Sequence, residues 1–189
     1  ANEERTEFNS ALRRCFLVTL SLGESSLDLI KNENFKDLNG LINLEKSNNQ
    51  LSSFCLRLIN KGVNIENNQA NFISIIAWNL EKIADEYKYI CELLENNKSK
   101  LNPAVVKLYF KTNEFVKGYY SLFYNFDTAS LNELHDKKID ITGIFNSIKN
   151  TNNEEYKLLN HLMTIVSKTS DLTSSIFALN HDKITAGFI

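Results

Sequence analysis

The chain has 189 residues, 43% hydrophobic side chains and a formal net charge of -2, with Lys and Arg scattered along its whole length. That composition can bury an ordinary core as one domain or two small ones, and it carries no basic footprint for nucleic acid. One proline and six glycines are few punctuators, which favours long helices over many short strands. The longest apolar runs, Cys15 to Leu22 and Phe72 to Trp78, fall well short of the roughly 20 residues a membrane span needs. No secretory h-region opens the chain, so a soluble cytoplasmic protein is expected, with at most peripheral membrane association.

Six helical segments follow in order. The first, about Glu4 to Lys31, carries a stripe of Phe8, Leu12, Cys15, Phe16, Leu20 and Leu27 near the 3.6 period. The second, about Phe35 to Asn60, has Leu41, Leu44, Leu51, Phe54, Cys55 and Leu58, and Gly62 closes it. The third, about Asn68 to Leu94, has the cleanest pattern. Ile76, Leu80, Ile83, Tyr87, Ile90 and Leu94 alternate four and three apart, the mark of a bundle seam. A polar break over Asn96 to Ser99 separates it from the fourth, which starts at Pro103, a residue suited to a first helical turn, and runs to about Phe126. This segment is so rich in Tyr and Phe that a core between helices is expected. The fifth spans about Ser130 to Ile148 and the sixth about Asn153 to Leu179, with Tyr156 and Leu159 opening its apolar stripe. Residues from Asn180 onward read as a frayed tail.

Cys15, Cys55 and Cys91 are too widely spaced for a CxxC motif, and an odd number argues against a disulfide framework, so they read as buried thiols. His135, His161 and His181 lack an acid three residues earlier, where Asn132, Leu158 and Ala178 stand, and none lies in an HExxH motif. With no GxSxG or phosphate-cradling Gly-rich loop either, an enzyme is not expected.

Acidic spacing is the remaining signal. Glu81 and Asp85 stand four apart inside WNLEKIADEYKYI, stacked on one helix face at a cost of roughly 0.2–0.5 kcal/mol to an isolated helix. Asp136 and Asp140 repeat the spacing, and Asp171 sits five residues before Ile176 as Asp85 does before Ile90. Three segments, a break and three more then read as diverged copies: an all-α chain of two tandem three-helix bundles, 1–98 and 99–189.

At LEKIAD, with Ile90 five residues on, the chain resembles the PhoU-domain family of phosphate uptake and signalling regulators, and SALRRCFLVTLSLGESSLDLI is similar to the opening helix of archaeal members. The resemblance covers six segments in the expected order. It implies two tandem three-helix bundles, a homodimer, and docking on a phosphate transporter complex or a signalling protein. It also implies metal capacity, for iron, zinc or another divalent ion, through Glu45, Glu81 and Asp85 in the first bundle and Asp136, Asp140 and Asp171 in the second. Asn49 and Ser167 stand where the pattern has acids. Two alternatives are carried. One is the sensing or dimerisation portion of a transcription regulator, since archaeal relatives often place an AbrB-like DNA-binding domain ahead of such bundles and the chain opens on Ala1. The other is a metal-binding bundle.

Overall fold

A computed structural model describes residues 2–62 and 67–186. Among these the chain is all-α: α1 (Asn2–Lys31), a 3-10 helix (Phe35–Leu41), α2 (Ile42–Asn60), α3 (Asn67–Leu94), α4 (Pro103–Tyr124), α5 (Thr128–Ser147), α6 (Asn153–Ser170), α7 (Leu172–Leu179) and α8 (His181–Ala186). The six expected segments correspond to six long helical stretches, with three differences. The expected start of the second is a separate 3-10 turn, because Asn39 and Gly40 are poor α-helix interior residues. The sixth breaks at Asp171, where the run Thr169 to Ser175 offers hydroxyl and carboxyl groups that compete with the helical backbone for hydrogen bonds. The expected tail contains α8, while residues 187–189 lie outside the described set.

Local chemistry fixes the helix ends. Gly62 closes α2 with φ at +74°, a left-handed conformation that suits glycine. Pro103 begins α4 behind Asn102, whose side chain accepts from Ala104 N at 2.9 Å. Asn152 and Glu155 form a reciprocal capping box at the start of α6. The buried Glu155 also accepts from Asn102 N through Oε1 at 2.6 Å, so one carboxylate holds the beginnings of two helices together.

Packing follows the apolar stripes. α1, α2 and α3 pack on one another, and α4 packs on α5 and α6. Across the middle α1 meets α4, and α3 meets α6 and α7. The two halves also pack differently. α2 packs closely on α3, whereas α5 rests mainly on α4. The core is continuous across the expected division at residues 98 and 99, and the α3 seam, from Ile76 to Leu94, is fully buried at its centre.

Two side-chain placements depart from the sequence pattern. Tyr156, expected in the core, is 58% exposed, because the first turn of α6 is turned inward by Glu155 instead. The inward face of α2 is polar: Asn48 donates to Thr19 Oγ1 at 2.7 Å and Ser52 to the Ala77 carbonyl at 3.1 Å, both side chains fully buried. Leu44, Leu51 and Phe54 flank that row half-buried. The Asn48 amide nitrogen and the Ser52 hydroxyl thus meet partners on α1 and α3, which offsets the cost of burying them, while Asn48 Oδ1 is buried without a hydrogen-bond partner.

Candidate functional site

The acidic residues of the first half do come together. Glu45, in the first turn of α2, is only 2% exposed, and its Oε1 accepts from Asn49 Nδ2 at 2.6 Å and from Lys88 Nζ at 3.4 Å. Lys88 Nζ lies 3.4 Å from Asp85 Oδ1, and Asp85 Oδ2 lies 3.2 Å from Lys82 Nζ, which is 3.4 Å from Glu81 Oε1. The order Glu45, Lys88, Asp85, Lys82, Glu81 therefore alternates in sign along the α2–α3 surface. Three carboxylates face two ammonium groups, so the cluster remains acidic.

Helix geometry dictates this arrangement. Residues three and four apart on α3 share a face, so Lys82, Asp85 and Lys88 form a row in which each lysine is within reach of Asp85. Burial pushes the Asp85 carboxyl up, but hydrogen bonds from Lys82, the contact with Glu45 and the charges of both lysines hold it below the ordinary carboxylate range. Burial works against the positive charge of Lys82 and Lys88 as well, and the neighbouring carboxylates more than offset it, so both lysines lie above their ordinary range. Trp78, 54% exposed, carries the Lys82 ammonium 4.8 Å above its ring centre. Lys88 sits similarly over Tyr89, at 5.0 Å.

The acids of the second half are placed differently. Asp136 is exposed on α5, and Asp140, also exposed, is met by Lys111 of α4 at 2.6 Å. Asp171 is exposed at the junction of α6 and α7, on an element that α5 does not pack against closely. The reason is the way α5 lies: its inward residues Leu134 and Ile141 point to α4, which leaves Asp136 and Asp140 facing outward.

Iron or zinc would require several oxygen donors converging on one point. Among the described residues no group of three or more His, Cys, Asp or Glu is arranged to hold a metal ion. A cluster of several ions does not fit the α2–α3 surface as it stands, where ammonium groups occupy the spaces between the carboxylates. One donor there is uncommitted: Asn49 Oδ1 is buried without a hydrogen-bond partner, on the same amide whose nitrogen holds Glu45.

One pairing has no local signature in the sequence. His161 Nδ1 of α6 lies 2.6 Å from Glu86 Oε2 of α3, with the Tyr89 ring alongside. The acid comes from 75 positions away, so a search for a carboxylate near each histidine in the chain passes over it. Comparison with protein-family models, curated proteins and solved structures returns no match. No helix among the described residues is long and apolar enough to cross a membrane.

Proposed function

We propose that the chain is a PhoU-like regulator of phosphate uptake and phosphate homeostasis, acting in the cytoplasm as a homodimer by binding a phosphate transporter complex or signalling protein rather than by catalysis. One observation carries the reading: the LEKIAD segment sets Glu81 and Asp85, both half-buried, on the flank of the α3 seam beside the buried Glu45, in a charge-alternating face bordered by the exposed ring of Trp78. An aromatic side chain at the edge of a fixed charge pattern is the combination that recognition surfaces use. A partner that shifts between two states is regulated only if this face binds one state better than the other.

The test is a binding titration of the purified chain against the cytoplasmic component of a phosphate transporter, at low and high salt. Saturable binding that weakens with salt and is lost in Glu81→Lys plus Asp85→Lys supports the proposal. Absence of saturable binding, or binding that the double substitution leaves intact, rejects docking through this face.

A single divalent ion held between α2 and α3 is a second reading, favoured by the uncommitted Asn49 Oδ1 beside Glu45. Glu45, Asp85 and Asn49 would supply the oxygens once Lys88 turns away. Metal analysis of protein purified without chelator decides it: stoichiometric iron or zinc that disappears in Glu45→Ala plus Asp85→Ala supports the ion, and none bound under saturating metal rejects it.

A further inference from the structure

A second feature lies in the other half of the molecule and is independent of the acidic face. A cavity of about 310 Å³ opens between α4, α5 and the junction of α6 with α7. Its polar lining is Tyr119, Asn132, His135, Lys138, Ser170 and Thr173, and no carboxylate contributes to it. Leu131 and Leu134 supply the apolar part of the wall. The spacing on α5 explains the convergence, because positions 131, 134, 135 and 138 form one face of a helix, on the flank away from Asp140.

The hydroxyls here are unlike those elsewhere in the protein. Thr19, Ser26, Ser74, Thr112 and Thr164 each close back on the carbonyl four residues earlier, the ordinary arrangement for a helical hydroxyl. Ser170 does not. It is one of the lining residues, and its Oγ is buried without a hydrogen-bond partner, as is Thr169 Oγ1 beside it. An unmet buried hydroxyl is unfavourable, and a ligand atom that accepts from it would remove that cost. Thr173 is fixed in place by a 2.6 Å hydrogen bond with the Tyr119 hydroxyl. Lys138 and Asn132 add an ammonium and an amide, and an imidazole stands at His135.

One cation with several N–H and O–H donors and no acid matches a ligand that offers many acceptor oxygens and negative charge. Glu133, Asp136 and Asp171, the acids next in sequence to lining residues, are exposed and outside the lining. The volume lies at the small end of ligand cavities, which span roughly 300–1,000 Å³. The geometry points to a binding site for a phosphate group, with Lys138 and Ser170 as its main contacts and Leu131 and Leu134 against any short carbon chain the group carries.

The test is calorimetric titration of the full chain with inorganic phosphate and, separately, with glycerol 3-phosphate. Saturable binding of either is expected, weakened roughly tenfold or more by Lys138→Met, the loss of one charge-assisted hydrogen bond. Ser170→Ala is expected to weaken it as well, while Asp140→Asn on the other flank of α5 leaves it unchanged. Tighter binding of glycerol 3-phosphate assigns the site to a phosphorylated metabolite, and equal or weaker binding assigns it to the free ion. Lys138 is exposed, so its replacement leaves the fold intact and unfolding curves serve as the control. No saturable heat with either compound, or an affinity that Lys138→Met does not change, overturns the proposal.

Discussion

The Tyr87 hydroxyl of α3 donates to Asn113 Oδ1 of α4 at 2.7 Å, and Asn113 Nδ2 in turn donates to the Gly23 carbonyl of α1 at 2.7 Å. Three helices from both halves therefore share one buried polar chain. Ser26 of α1 and Tyr109 of α4 add a second link, their oxygens 2.5 Å apart, and the rings of Tyr87 and Tyr109 stack with centres 6.3 Å apart. Gly23 is small for a reason: a Cβ there would lie 2.6 Å from Asn113 Oδ1 and 2.7 Å from the Tyr87 ring.

Removing the Tyr87 hydroxyl leaves Asn113 Oδ1 buried without its donor. Tyr87→Phe is expected to lower stability by about 1–3 kcal/mol in urea unfolding with little change in slope. Gly23→Ala should cost more, because the added methyl displaces both partners at once. A Gly23→Ala protein as stable as the parent would show that α1 and α4 are not this close.

Acid sensitivity should trace to Asp85. Its carboxyl is held below the ordinary range, so its contribution is present above the unfolded pKa, near 3.9, and is lost as pH falls through the lowered folded value. Thermal unfolding followed between about pH 5 and pH 2 should show a shallower acid decline for Asp85→Asn than for the parent. The raised Lys82 and Lys88 act in the opposite direction, stabilising below the ordinary lysine pKa and ceasing to do so as pH rises through the folded value. An acid limb identical in parent and variant would remove Asp85 from this role.

Gly118 of α4 is in close contact with the Leu134 side chain of α5, and a Cβ at 118 would collide with it. Gly118→Ala should cost roughly 1–3 kcal/mol by overpacking. The damage should be local, seen as faster amide hydrogen exchange along α5 with α1 and α3 little changed. Uniform acceleration over all helices would contradict the loose attachment of α5.

All three cysteines are free and buried. Burial pushes the Cys91 thiol up to about 12, and Cys15 and Cys55, on neighbouring helices, are within hydrogen-bonding contact of each other. A water-soluble thiol reagent should leave native protein unlabelled and modify all three once urea unfolds it, since burial keeps the reagent away from each sulfur. Rapid labelling of Cys91 in native protein would show that the end of α3 opens more readily than its packing implies.

Much of this architecture was legible in the chain. The α3 seam reads directly from residues four and three apart because a fully buried stripe leaves no room for exceptions. Pro103 and Gly62 marked helix ends through backbone chemistry that needs no tertiary context. The inner face of α2 was not legible, since Asn48 and Ser52 are buried only because Thr19 and the Ala77 carbonyl lie opposite. The same limit applies to the acidic site. Spacing placed Glu81 and Asp85 on one face, but the lysines that thread between the carboxylates and the approach of Glu45 from α2 depend on how two helices meet. The spacing of Asp136, Asp140 and Asp171 did not bring them together, because Asp136 and Asp140 face outward on α5 and Asp171 is exposed at the junction of α6 and α7.

The double duty of Glu155 has a bearing on how the two ends of the second half are coupled. A single side chain receives the amides at the starts of both α4 and α6, so any event that draws it away, such as a competing cation, frees both helix beginnings in one step. The stretch from Glu95 to Asn102 and the turn before α6 would then loosen as one unit, although about fifty residues of chain separate them.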